Sequence, residues 1–341
     1  MIATKGLSFA ACNFSFNLMS GGGFDKVYSI MPHYVSGKLS VDNKAYELIY
    51  SPLHKKGGIF GKLASIHDQW LVFRRIPNDA SLWLYNLCQL NFILVILLRL
   101  FKRKVKVNVI ELDFTPSKKL SVLGLCLYLM NHSNGMICLA QSQLFVNKNR
   151  ACLPGVVPLN SGTFPYITKP DYTFLLSGVL TEPIALLSKV IEAFASTPDF
   201  KLHITGSPTN EEVLTKMTKD HHNIIYHGQL PFNDYLKILD SVTFQLSTRD
   251  PLHPDNMCNF PSKIIEALLH NRIVVSTIKY PQLDDVRCLD IDADNIIDGL
   301  RKIAGLPESE LIRYANQSDI VKKQFSPLIW LETMKIIESY E

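Results

Sequence analysis

The chain has 341 residues, 47% of them apolar, and a formal net charge of +4, enough apolar material for two cores of ordinary domain size. No apolar run of about 18 residues is free of polar interruption, and the first residues, MIATKGLSFAACNFSFN, lack a secretory leader's long apolar centre and cleavage site, so a cytosolic chain is expected. Seven cysteines, odd in number and without a CxxC pair, argue against a disulfide or metal framework.

In chain order, KVYSIMP (26–32) reads as a strand. SLWLYNLCQLNFILVILLRLFKRKVK (81–106) reads as one long apolar helix ending in a basic cluster. With Asn86, Gln89, Asn91 and Arg99 inside it, that helix is either buried or membrane-facing rather than spanning. KVKVNVIELDF (104–114) and GMICLAQS (135–142) are further strands, and NSGTFPYITKPDY (160–172), rich in Gly, Pro, Ser and Thr, is a linker. Beyond it strands and helices alternate. YTFLLSG (172–178), FKLHITG (200–206), NIIYHGQL (223–230), VTFQLST (242–248) and IVVST (273–277) are the strands. LLSKVIEAFAS (186–196), NEEVLTKMTKD (210–220), FNDYLKILDS (232–241) and PSKIIEALLHN (261–271) are the helices. This alternation predicts a doubly wound parallel α/β sheet that binds ligands at the carboxyl ends of its strands. FSPLIWLETMKIIESY (325–340) has helical spacing after that sheet is complete and is expected to cross back. The predicted division is a first domain over 1–165, a second over 172–322 and a returning helix over 325–341.

The net charge hides an asymmetry. Residues 1–165 carry 18 Lys and Arg against 7 Asp and Glu, and residues 166–341 carry 17 against 24. A basic half points either to an anionic partner (nucleic acid, a membrane surface or a phosphorylated substrate) or to a merely soluble basic surface. No nucleic-acid reader motif is present, and no nucleic-acid partner is expected.

The helix over 261–271 carries the most chemistry. Ile264, Ile265, Leu268 and Leu269 form the stripe that packs on the sheet, while Ser262, Glu266 and His270 fall four apart on another face. Pro261 suits the first turn, whose free backbone N–H groups welcome an anion. Those amides with Ser262 and Lys263 would hold phosphates, and Glu266, one turn deeper, would accept hydrogen bonds from a vicinal diol such as ribose. The plainer reading makes Glu266 a helix-dipole charge and Lys263 a solvated one.

With these residues in place, FLLSGVL…FKLHITGSP…NIIYHGQL…VTFQLSTRDP…NFPSKIIEALLHNRIVVST, over about 172–290, resembles the nucleotide-sugar domain of GT-B glycosyltransferases. Within that fold it is most similar to the family-four-like enzymes of bacterial exopolysaccharide, O-antigen and capsule synthesis. The resemblance implies two Rossmann-like domains facing a central cleft, the first binding acceptor and the second a nucleotide diphosphate sugar. It assigns the ribose to Glu266 and makes Gly178, Gly206, Ser207, His227, Gly228, Pro261, Ser262 and Lys263 donor-binding residues. SGGGFDK is similar to the loop that faces the diphosphate and acceptor, through Gly21, Gly22 and Gly23. Of the histidine–aspartate pair in the strand NVIELDFTP only Asp113 remains, Leu112 standing for the histidine. Cys258 stands where many relatives have a first glutamate, and Thr181 and Glu182 stand where an arginine and a lysine are common. Arg249 with Lys263 is then the source of positive charge on the leaving group, unless Arg249 is purely structural.

The resemblance implies retaining glycosyl transfer. With the helix amides, Ser262, Lys263 and Arg249 stabilising the leaving group, no metal or cofactor is required. The basic first domain with the helix end LRLFKRKVK fits a saccharide acceptor linked to polyprenyl diphosphate at the anionic cytosolic face of the inner membrane. The faint opening strand LSFAACNF and the two missing family residues keep a non-catalytic glycosyltransferase partner subunit open, and a nucleotide-sugar epimerase on the same fold is the third reading. DIDAD (290–294) reads as an acidic cluster at a helix N-terminus and DHHN (220–223) as a surface turn, neither as a metal site.

Overall fold

The computed structural model describes residues 2–3, 14, 18, 23–30, 46–49, 51–112, 114–116, 121–159, 161–283 and 285–340. The chain divides into two units, Met1–Leu159 with Ser326–Glu341, and Asn160–Phe325.

In the first unit the described residues form a parallel sheet in the order β3-β2-β1-β4-β5-β6-β7. Its strands are β1 (Ile2–Ala3), β2 (Val27–Ile30), β3 (Tyr46–Ile49), β4 (Ser81–Tyr85), β5 (Lys106–Glu111), β6 (Gly135–Cys138) and β7 (Arg150–Cys152). Helices α1 (Gly58–Arg75), α2 (Phe92–Phe101) and α3 (Val122–Asn131) lie between them. The opening strand is thus Ile2–Ala3; of LSFAACNF only Phe14 is among the described residues.

The single helix expected over 81–106 is corrected. Ser81–Tyr85 is strand β4, between β1 and β5, with Leu82, Trp83, Leu84 and Tyr85 all buried. An unbroken apolar run suits a strand covered on both faces as well as a buried helix, so periodicity cannot separate them. Asn86, at φ 56°, ends the strand. Asn91 Oδ1 accepts from Cys88 N at 2.8 Å while its Nδ2 donates to Asn86 O at 2.8 Å, and α2 starts only at Phe92. Helix α1 lies in a stretch without a predicted element. Among the described residues no helix is long and apolar enough to cross a membrane.

The second unit is the predicted doubly wound sheet, parallel throughout, in the order β10-β9-β8-β11-β12-β13. Its strands are β8 (Thr173–Leu180), β9 (Lys201–Pro208), β10 (Ile224–Tyr226), β11 (Phe244–Ser247), β12 (Ile273–Ser276) and β13 (Leu289–Asp290). Its helices are α4 (Glu182–Ala185), α5 (Leu187–Ala195), α6 (Glu211–Thr218), α7 (Phe232–Ser241), α8 (Ser262–Leu269), α9 (Ile296–Ala304), α10 (Glu308–Tyr314) and α11 (Ser318–Gln324). Phe174, Phe194, Leu202, Phe244, Ile273 and Leu300 sit in its core, and the Phe174 and Phe244 rings stack at 4.5 Å. Strand β10 is shorter than expected, whereas β8 and β9 run on past their glycines to Leu180 and Pro208.

The last helix, α12 (Pro327–Ser339), belongs to the first unit. Trp330 is fully buried, its indole N–H donating to Gly155 O at 2.6 Å and its ring edge-on to Phe14 at 5.0 Å. Asn149 Nδ2 donates to Ile337 O at 2.8 Å, and Trp83 Nε1 to Glu338 Oε1 at 2.6 Å. Trp330→Ala removes both ring packing and a buried hydrogen bond; a loss of about 3–5 kcal/mol of stability is expected in urea unfolding, with Trp330→Phe costing less.

Candidate functional site

In the second unit the chain winds outward from β8 through β9 to β10, returns to β11 on the other side of β8, and winds outward again through β12 to β13. Ligands of open α/β sheets bind where that order reverses, at the carboxyl ends of the strands. Gly178 in β8, and Arg249 just beyond β11, flank the reversal, and Gln245 Nε2 bridges the two strands to Ser177 Oγ at 3.4 Å.

Gly178 and Gly206 are register partners in β8 and β9, at φ 116° and 143°. A Cβ on Gly206 would stand 1.9 Å from Gly178 O, so the two strands approach this closely only because no side chain intervenes. Gly206 N donates to Gly228 O at 3.1 Å and Thr205 Oγ1 to the same oxygen at 2.7 Å. Gly178, Gly206 and Gly228 therefore line up across neighbouring strands toward their carboxyl ends, with Ser207 exposed beside them.

Helix α8 follows β11, and Pro261 precedes it without any side-chain cap, leaving the first amides unclaimed by a side chain. Ile264, Ile265, Leu268 and Leu269 are buried as expected, and Ser262 is exposed. His270 does not join the polar face: it is buried, with Nδ1 at 2.7 Å from Asp240 Oδ1 and its ring 4.0 Å from Phe164. Lys263 Nζ donates to Glu266 Oε2 at 3.0 Å, the two side chains being 33% and 24% exposed. Tyr235 of α7, which the sequence reading passed over, donates its hydroxyl to the same Oε2 at 2.6 Å, and Lys263 Nζ stands 3.7 Å over the Tyr235 ring. Burial, and then the Glu266 carboxylate, push the Tyr235 phenol well above its ordinary range, so it stays a donor.

Arg249 is half-buried and held by its surroundings. Its N–H donates to Thr277 Oγ1 at 2.7 Å, Thr277 Oγ1 donates back to Arg249 O at 2.6 Å, and Arg249 Nη1 donates to Asn256 Oδ1 at 3.1 Å. Asn256, buried, in turn donates to Pro183 O and Asp250 O, closing the loop between β11 and α8. Neither Thr277 nor Asn256 carries a sequence signal. Cys258, in that loop, is buried.

His203 and His227 stack with rings 6° from parallel, and His203 Nδ1 lies 2.9 Å from His227 Nε2. Burial lowers both, His203 to about 4. His227 and Gly228 line a cavity of about 600 Å³ with Glu211, Lys219, His222 and Tyr226. A second cavity, of about 480 Å³, at the ends of β8, β11 and β13, is lined by Glu182, Lys189, Asp250, Thr277 and Asp292, and by neither Lys263 nor Glu266. Among the described residues no three His, Cys, Asp or Glu side chains stand together as a metal site.

In the first unit Gly21, Gly22 and Asp113 lie outside the described residues. Gly23 N donates to Leu18 O at 3.0 Å, and a Cβ there would meet Leu331 of α12 at 2.2 Å. Leu112 is buried, with its N–H on Asn86 Oδ1 at 2.7 Å, and Glu111, a buried carboxylate missed in the sequence, accepts from Leu87 N at 3.1 Å.

No family model matches the sequence, and no curated protein matches it. Solved structures do. HepE of Anabaena in complex with UDP matches with a TM-score of 0.72 at 12% identity, over 99% of this chain and 98% of its own. The apo form of WaaB, a lipopolysaccharide outer core galactosyltransferase, matches at 0.64 and 12% over 98% of each chain. Sucrose-phosphate synthase of Thermosynechococcus elongatus matches at 0.67 and 12%, over 94% of this chain and 90% of its own. The chain has the GT-B glycosyltransferase fold, with two Rossmann-like domains.

The histidine pair gives a pH dependence. Between an unfolded value of about 6.5 and a folded value of about 4 for His203, the unfolded chain binds a proton that the folded one refuses. Stability therefore falls as pH drops through that window, and His203→Asn is expected to shrink the difference between urea midpoints at about pH 7 and about pH 5.

Proposed function

We propose that the protein is a glycosyltransferase that binds a nucleotide diphosphate sugar in its second unit. The observation that carries this is α8, whose uncapped first turn, at the reversal of the sheet, presents Ser262 and Lys263 with Glu266 one turn behind. The matching structures agree in kind: one is a complex with UDP and another is a galactosyltransferase. Breaking the bond between sugar and diphosphate builds negative charge on the leaving group, and fixed donors lower that barrier. The α8 amides, the Ser262 hydroxyl and the Arg249 guanidinium are the donors here, with Lys263 sharing its charge with Glu266. Gly178, Gly206 and Gly228 let backbone approach the ligand, and Gly206, Ser207, His227 and Gly228 border its nucleoside end. No metal is assigned a part. The reaction retains anomeric configuration and serves surface polysaccharide synthesis, with Asp113 on the acceptor side. A non-catalytic partner subunit is the second reading, favoured by Cys258, which is buried and stands where many members of the family that the sequence resembles carry a glutamate.

The acceptor is lipid-linked, and the support lies on α1. Ile59, Leu63, Ile66 and Trp70 recur at helical spacing and are all exposed, Ile59 by 69%. Phe60, Leu100 and Phe101 extend the patch, with Trp70 stacked on Phe73 at 5.2 Å and Phe73 edge-on to Phe101. Lys55 and Lys56 precede α1, Lys62 lies within it, and Arg103 and Lys104 follow Phe101, all of them exposed. Asp68, the one acid in α1, is buried beside His54, with Oδ2 at 2.9 Å from His54 Nε2. An apolar strip accompanied by exposed cations suits the interface of an anionic bilayer.

Two measurements test these readings. Thermal shift with UDP, GDP, ADP and CMP is expected to show stabilisation by one nucleotide, abolished in Glu266→Ala; stabilisation of the intact protein by none of them points to the partner-subunit reading. In co-sedimentation at low salt the protein is expected to bind vesicles containing anionic lipid, at least about tenfold more weakly as Ile59→Glu/Leu63→Glu; equal binding by the two sinks the α1 surface.

A further inference from the structure

We propose that Tyr235 is a positioning residue for Glu266: its hydroxyl, with the Lys263 ammonium, occupies Oε2 and leaves Oε1 as the oxygen offered to a nucleotide's ribose hydroxyls. This rests on the donor-site reading above and adds a residue to it. Tyr235 Oη lies 2.6 Å from Oε2 and Lys263 Nζ 3.0 Å from it, so two donors meet one oxygen. Among the described residues Oε1 has no hydrogen-bond partner. Lys263 is itself steadied by its place over the Tyr235 ring, at 3.7 Å from the centroid. One buried aromatic residue therefore anchors both charged side chains of α8, through its hydroxyl and through its π face. A carboxylate whose Oε2 is claimed by two donors is fixed in rotation. Diol hydroxyls then find an acceptor already aimed, rather than one whose side-chain freedom must be frozen on binding.

The test uses the full chain and titrates UDP, GDP, ADP and CDP, each with its 2′,3′-dideoxy counterpart, by calorimetry. Tyr235→Phe keeps the ring beneath Lys263 and deletes only the hydroxyl. It is expected to weaken the ribonucleotide that binds the wild type by about 5- to 20-fold, and to move its dideoxy counterpart less than about twofold. An equal loss on both, or no loss, overturns the role of Tyr235 while leaving the donor site standing. Wild type that binds none of the four overturns the donor site itself and this proposal with it. Glu266→Gln gives an independent readout that does not depend on how Tyr235→Phe folds. Tyr235 and Lys263 are both donors and claim the amide's oxygen, which turns its NH2 toward the ribose. Ribonucleotide affinity is then expected to fall as far as in Glu266→Ala, and retained affinity overturns the proposal.

Discussion

The reversal of winding between β8 and β11 is the constraint on which the second unit's site depends. Parallel strands need right-handed crossovers, so a chain that winds one way from β8 and the other way from β11 sends its two crossovers to opposite faces of the sheet. The loops leaving those neighbouring strands part instead of covering each other. Gly178, Arg249 and the first turn of α8 all follow from that parting, and Ser177 and Gln245 join the two strands beneath it. Arg249 holds its place through Thr277 beyond β12 and Asn256 in its own loop, not through any contact visible as a motif.

Much of the second unit was legible because its strands and helices alternate with clear changes of period, and the α7 boundaries agree with the sequence reading residue for residue. Lys263 and Glu266 were legible as charges in the first turns of a helix whose other face is apolar. Tyr235 was not: with Leu239 four residues on, it reads as the buried stripe of α7, and only the fold shows its hydroxyl reaching Glu266. Glycine at 178 and 206 was read as a strand end, whereas pairing the two glycines with each other lets both strands continue. The first unit misleads for a different reason. In α1 Asp68 and Gln69 are buried with Ala64, Val72 and Phe73 while Ile59, Leu63 and Trp70 face out, so apolar residues lie on both faces and the usual rule finds no helix.

Beside its buried Ala64, Val72 and Phe73, α1 is held by polar fastenings. Gln69 Oε1 accepts from Leu94 N at 2.9 Å and so satisfies an N-terminal amide of α2. Lys102, just after α2, donates to Phe73 O at 2.8 Å near the carboxyl end of α1, with Nζ over the Phe73 ring. Each helix thus closes an open end of the other, and Asp68 is spent on His54 and Ser51 N. The outer apolar strip of α1 is left out of the core, which frees it for a surface role.

Helix α12 has a consequence for how the chain is made. The first unit's strands leave the ribosome early, but Trp330 beneath Gly155 and Ile337 against Gly135 arrive only after the whole of Asn160–Phe325 has been synthesised. At about 5–20 residues per second that delay is on the order of ten seconds. The second unit can fold meanwhile, whereas the earlier sheet stands with an uncovered flank. During translation the first unit is therefore the later of the two to be completed.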